Sequence, residues 1–116
     1  MILTLDLDSN RPLFHQVADA VKRSLLRGEI QPGDQLPPGR ELAASLDVSL
    51  ETVQRAYRQL ADQGIATSRV GRGTRIASDV EITSLGVELE VQQLVAQAKE
   101  LGISKSHLVR LIGDAY

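Results

Sequence analysis

Arg40-Glu41-Leu42-Ala43-Ala44-Ser45-Leu46-Asp47-Val48-Ser49-Leu50-Glu51-Thr52-Val53-Gln54-Arg55-Ala56-Tyr57-Arg58-Gln59-Leu60 is the stretch whose reading decides the fold. Its first part places Leu42, Ala43 and Leu46 on one face of a short helix from Arg40 to Leu46. Asp47 and Val48 then leave room only for a tight turn. Ser49 is a good N-cap for a next helix, and Glu51 stands near the positive end of its dipole. Val53, Ala56, Tyr57 and Leu60 follow at spacings of three and four, one apolar stripe. Two helices joined by so short a turn predict a helix-turn-helix, whose second helix can lie in a DNA major groove.

The flanking sequence completes that unit. Upstream, a helix is expected from about Pro12, which suits a first turn because its missing N–H has no partner there, with Asn10 as the cap. Phe14, Val17, Ala18, Val21 and Leu25 form its apolar face, and Gly28 stops it. Pro32-Gly33 makes a turn, after which residues 34–38 run extended. Downstream, Gly64 ends the third helix, and the period changes to two. Ile65 to Val70 and Thr74 to Ala77 read as two short strands around Gly71-Arg72-Gly73. Three helices followed by a glycine-turned hairpin predict a winged helix-turn-helix domain over residues 1–78.

Residues 79–116 are organised differently. Val87, Val91, Leu94, Ala98 and Leu101 are spaced 4, 3, 4 and 3, a heptad seam. Gly102 suits the left-handed position that closes a helix, and Ser104 caps a last helix carrying Leu108, Leu111, Ile112 and Ala115. Ile103 and Leu108 stand at staple positions around that cap. Such an αα-hairpin is too small to fold alone. The fold class is therefore mostly α with a small β-hairpin: a winged helix-turn-helix domain and a short two-helix tail.

Composition bounds the chemistry. A chain of 116 residues holds one domain, or one with an appendage, and 42% hydrophobic with 24% charged residues belongs to a folded protein. Aromatics at 3% require an aliphatic core. The absence of cysteine removes disulfides, zinc–thiolate sites and thiol nucleophiles. No basic stretch with an apolar run opens the chain and no run of 18 apolar residues occurs, so a cytoplasmic protein without membrane contact is expected. His15 and His107 lie far apart and the carboxylates are scattered, which leaves no metal site, no catalytic set and no cofactor site; an enzyme is not expected.

The net charge of −2 argues at face value against a nucleic-acid partner. Its distribution does not. Residues 1–78 carry ten basic against nine acidic residues, and residues 79–116 carry three against six, so the acidity belongs to the tail. Residues 64–78 hold Arg69, Arg72 and Arg75 and no acid, a local +3. A projecting cation on a hairpin suits a phosphate or minor-groove contact, and glycine permits close backbone approach; the alternative is a hairpin edge protected by charge against strand pairing, which is frequent. The Gly-x-Gly is followed by a strand and not a helix, so a dinucleotide site is rejected.

The outward face of the third helix consists of Leu50, Glu51, Gln54, Arg55 and Arg58. Gln54 can pair with adenine, Arg55 and Arg58 with guanine or phosphates, and Glu51 can accept from cytosine. Against that stands a solvated face with Glu51–Arg55 and Gln54–Arg58 as i,i+4 pairs.

Several stretches resemble GntR-type bacterial transcription regulators. They are Pro12-Leu13-Phe14-His15-Gln16, Gly28, Pro32-Gly33-Asp34-Gln35-Leu36-Pro37, Arg40-Glu41-Leu42-Ala43, Leu46 to Ser49, Thr52-Val53, Ala56-Tyr57, Leu60, Gly64 and Gly71-Arg72-Gly73-Thr74. The resemblance covers roughly residues 11–77, and the two-helix tail is similar to that of the YtrA-like subfamily, which dimerises through it. It implies a dimeric regulator, usually a repressor and often of transporter genes, with DNA contacts at Arg40, Thr52 and Gly71. Two departures stand out: Leu50 and Gln54 where the family usually has arginines, and Pro38-Gly39 where it has a Ser-Glu pair. Leucine cannot hydrogen-bond a base but can touch a thymine methyl, so an operator with less guanine readout is expected.

The tail's stripes (Val87, Val91, Leu94, Ala98 and Leu101, then Leu108, Leu111 and Ile112) either fold back on their own domain or form a dimer interface. They carry more apolar surface than a small domain readily covers, and a two-fold dimer would present two reading heads. The expectation is thus a homodimeric regulator on a pseudo-palindromic double-stranded DNA operator, its third helices in major grooves about 34 Å apart or a multiple of that. The competing class is a protein-interaction winged helix that scaffolds an assembly without binding DNA. No residue pattern identifies a small-molecule effector, and a pocket at a helical dimer interface is the space left for one.

Overall fold

Leu13–Leu26 forms α1 in the computed structural model, which describes residues 11–116. The expected cap at Asn10 lies outside the described residues. Pro12 sits at the cap position itself, one place earlier than the first helical turn, and its carbonyl accepts from Gln16 N–H at 3.2 Å. Val17, Ala18, Val21 and Leu25 turn into the core as their spacing predicts. The opposite, polar side of α1 is buried too: Gln16, Asp19, Lys22 and Ser24 are almost inaccessible. Charge pairing makes that burial tolerable, since Arg11 bonds to Asp19 and the Lys22 ammonium lies 4.0 Å from the same carboxylate.

The next two helices are α2, Gly39–Leu46, and α3, Leu50–Asp62. Between them Asp47 takes the left-handed conformation at φ 55°, which aspartate tolerates better than most residues, and Val48 N–H returns to the Ala43 carbonyl at 3.0 Å. The Ser49 hydroxyl accepts from Thr52 N–H at 3.1 Å, the expected cap. Val53, Ala56 and Leu60 are fully buried and Tyr57 nearly so, packed with α1, Leu42, Ala43, Ile65 and Ile76 in one aliphatic core. Leu46 is only partly covered and packs at its margin.

Two antiparallel strands follow: β1 at Ala66–Arg69 is one residue shorter at each end than its periodicity suggests, and β2 at Gly73–Ile76 has the expected length but begins one residue earlier. Ala66 faces Ile76 and Arg69 faces Gly73. Gly71 and Gly73 both have positive φ, 77° and 74°, so the three-residue tip needs glycine there. The extended stretch after Pro32-Gly33 pairs with the other edge of β2: Leu36 N–H donates to Thr74 O at 2.8 Å and Ile76 N–H to Asp34 O at 2.8 Å. The wing is therefore anchored on both edges of β2.

A first compact unit extends to Leu85, beyond the expected boundary at residue 78, because Val80, Ile82 and Leu85 pack on this core. The second unit, residues 86–116, contains most of α4, Leu85–Glu100, and all of α5, Lys105–Ala115. Gly102 adopts φ 73°, Ile103 N–H returns to Ala98 O at 2.8 Å, and the Ser104 hydroxyl caps α5 through His107 N–H at 3.1 Å.

Leu60, the last residue of α3's stripe, is the largest fully inaccessible side chain of that helix. Leu60→Ala is expected to lower unfolding free energy by about 3 kcal/mol, read as a shifted urea midpoint with unchanged slope.

Candidate nucleic-acid interface

Tyr57 ties the recognition elements together. Its ring is buried under α3, and its hydroxyl donates to the Pro37 carbonyl at 2.8 Å. Burial, and then the Glu41 carboxylate, push the phenol well above the usual tyrosine value of 10.0, so it remains a donor throughout the neutral range. The bond fixes the strand 34–38 against α3 and with it the start of α2, where Arg40 is exposed.

One concavity lies between α3, the start of α2 and the wing. Arg40, Leu50 and Gln54 line it from the helices, and Gly71, Arg72 and Arg75 from the hairpin. These six expected contact residues, far apart in sequence, thus face one cleft. A second hollow on the hairpin is lined by Arg69, Arg72 and Arg75 with the side chains of Thr67 and Ser78. Arg69 stands opposite Gly73, which has no side chain to fill the space, and no acid lines the hollow. Three guanidinium groups and two hydroxyls suit an anion such as a phosphate. Arg75 is held in part by its own bond to the Gly33 carbonyl at 3.3 Å.

Other expected residues lie elsewhere. The Arg55 guanidinium stacks over the Phe14 ring at 3.9 Å, which turns it toward α1 and away from the cleft. Among the described residues Glu51 and Arg55 form no ion pair, so that part of the solvated-face alternative is not realised. Thr52 takes part in its own helix cap, its hydroxyl 2.9 Å from that of Ser49. Glu51 and Arg58 are exposed on α3 but line neither hollow. Sequence reading missed Gln35, Pro37, Gly73, Thr67 and Ser78 as neighbours of the site. The alternation of Thr67 and Arg69 on one strand face was the available signal for Thr67.

His15 belongs to the α1 side, its ring 4.1 Å from that of Phe14. Burial, followed by the Arg11 charge, holds its imidazole below the ordinary 6.5. Its Nδ1 is buried and has no hydrogen-bond partner among the described residues. Among the described residues no three potential metal ligands converge, and no helix is long and apolar enough to cross a membrane.

In the second unit, four of the five heptad positions are exposed, Ala98 being the exception. Val87 is 63% and Leu101 67% exposed, and Val91, Leu94, Leu111 and Ile112 are exposed as well. Leu108 is half-buried and Ala98 is buried. In the first half of α4 the buried positions are Leu85 and Leu89, off the seam.

Comparison with known proteins agrees with this architecture. Residues 13–76 match the family described as bacterial regulatory proteins, gntR family. The chain is 30% identical over 112 residues to the HTH-type transcriptional repressor YtrA of Bacillus subtilis, spanning 92% of this chain and 86% of that protein. The solved YtrA of Sulfolobus acidocaldarius, a GntR-family transcription factor, superposes with a TM-score of 0.62 at 34% identity, covering 97% of this chain and 95% of that one. The DNA-binding domain of AraR, solved in complex with an operator, superposes with a TM-score of 0.60 at 27% identity over 66% of this chain and 99% of that one. The family and these relatives are described as transcription regulators.

Tyr57→Phe removes the clamp on Pro37 and is expected to cost about 1 kcal/mol of stability at pH 7. The folded phenol holds its proton longer than the unfolded one, so its contribution is complete below pH 10 and is lost as pH rises above that. Chemical denaturation from pH 8 to 11 should show a shallower alkaline decline in Tyr57→Phe than in the parent protein.

Proposed function

The chain belongs to the gntR family of bacterial regulatory proteins, and from that premise we propose that this DNA-binding transcription regulator acts as a homodimeric repressor on a pseudo-palindromic operator. The observation that carries the proposal is the shared cleft, in which Arg40, Leu50 and Gln54 face the wing's Gly71, Arg72 and Arg75. In this reading the N-terminal half of α3 enters the major groove and Gln54 pairs with adenine. Glu51, Thr52 and Arg58 border that contact, while Arg40 and the wing arginines hold phosphates. Arg55 supports α3 from behind, through Phe14.

The unit that ends at Leu85 supplies the reading head and residues 86–116 the dimerisation tail. The exposed seam of Val87, Val91, Leu94 and Leu101, with Leu111 and Ile112 on α5, supports association with a second copy, since burying such a stripe is favourable. Repression is supported by similarity to a transcriptional repressor of nearly the same extent. It works by steric occlusion of a promoter in the cytoplasm. Because Leu50 and Gln54 stand where the family commonly has arginines, the operator departs from the common family site and contains less guanine at those positions.

Selection of bound duplexes from a random library at stated salt should return a two-fold symmetric site poorer in guanine than the family consensus. Recovery of that ordinary consensus contradicts the operator assignment, and recovery of no duplex contradicts DNA binding. Val91→Glu/Leu94→Glu places charge on the seam without touching the core. It should sediment as a monomer and bind the selected duplex at least 100-fold more weakly than the parent protein (on the order of 3 kcal/mol). A dimeric double variant removes the seam from the interface.

A further inference from the structure

Gly39 is the first residue of α2 and has an ordinary helical backbone, so no positive φ demands glycine there. Glycine is also a poor helix former, which leaves packing as its reason. A Cβ at this position would come within 3.1 Å of Leu50 Cδ1, 3.9 Å of Val53 Cγ1 and 4.0 Å of Gln54 Cγ. The missing side chain therefore lets the start of α2 approach the first turn of α3 closely, and a Cβ there would press on the Leu50 side chain, which would have to give by a few tenths of an ångström. Leu50 is only partly buried and lines the open cleft beside Gln54. It has no hydrogen-bonding atom, so among base-edge groups in a major groove it suits the thymine methyl.

We infer that Gly39 and Leu50 form one specificity unit: the glycine seats Leu50, and the seated side chain reads the 5-methyl group of a thymine next to the base contacted by Gln54. Gly39 is a positioning residue here and Leu50 the contact. This rests on the DNA-binding reading above and adds the base and the group recognised.

The test replaces each thymine of the selected operator in turn by deoxyuridine, which removes only the methyl group, and measures binding of the full-length protein by fluorescence anisotropy. One thymine per half-site should show about a fourfold loss, the worth of one buried methyl group. Leu50→Ala should bind thymine and deoxyuridine equally at that position. Gly39→Ala should displace Leu50 and reduce the same discrimination, and Gly39→Ala/Leu50→Ala should bind no more weakly than Leu50→Ala alone. The deoxyuridine scan uses the unaltered protein, so it decides the matter even if a variant folds poorly. Operator binding that is indifferent to every thymine methyl overturns this inference and leaves DNA binding intact. Discrimination retained by Leu50→Ala, or additive losses in the double variant, overturns it as well, and failure to bind any duplex overturns both readings.

Discussion

The burial of one stripe of α3 (Val53, Ala56, Tyr57 and Leu60) is the constraint on which the rest of the reading head depends. Those four side chains fix the rotation of the helix about its axis, and that rotation decides which residues face outward. From the same stripe, the Tyr57 hydroxyl reaches the Pro37 carbonyl, and Leu36 next to it donates to Thr74 on β2. A continuous chain of short bonds thus runs from the core of α3 to the wing. A surface that reads a duplex needs its contact groups held within about 0.5 Å of their working positions, and two elements tied in this way meet that need better than a free hairpin.

Charge is distributed among different tasks. A net charge of −2 says little about the partner, because it averages an acidic tail with a hairpin that carries three arginines and no acid. The arginines themselves divide. Arg11 neutralises the buried Asp19, Arg55 stacks on Phe14, and Arg69, Arg72 and Arg75 gather around a hollow. Weak overall attraction to phosphate then favours discrimination, since the electrostatic contribution is shared by all sequences and base contacts are not.

Most of the architecture was legible because it follows from local rules. The caps at Ser49 and Ser104, the left-handed glycines at 71 and 102 and the three-four spacing of the apolar stripes each act within a few residues. What could not be read depends on contacts distant in sequence. Residues 34–36 looked extended, but nothing local showed that they would pair with β2 some forty residues later. Arg55 carried the same signature as Arg58, and only the position of Phe14 on α1 sets the two apart. Gly39 stood out only as a departure from the family pattern, and its packing role appears only where α2 meets Leu50. The burial of the polar side of α1, with Asp19 and Lys22, depends on charge pairing that periodicity does not encode.

In the proposed function the hairpin and α3 form a single DNA-binding surface in which the wing arginines neutralise phosphates. The most direct test is the salt dependence of operator binding for the parent protein and for Arg69→Gln, Arg72→Gln and Arg75→Gln. Each variant should reduce the slope of log affinity against log salt by about 1, because each removes one phosphate contact and the counterion it displaces. An unchanged slope in all three variants would contradict the account and would separate the wing from the DNA.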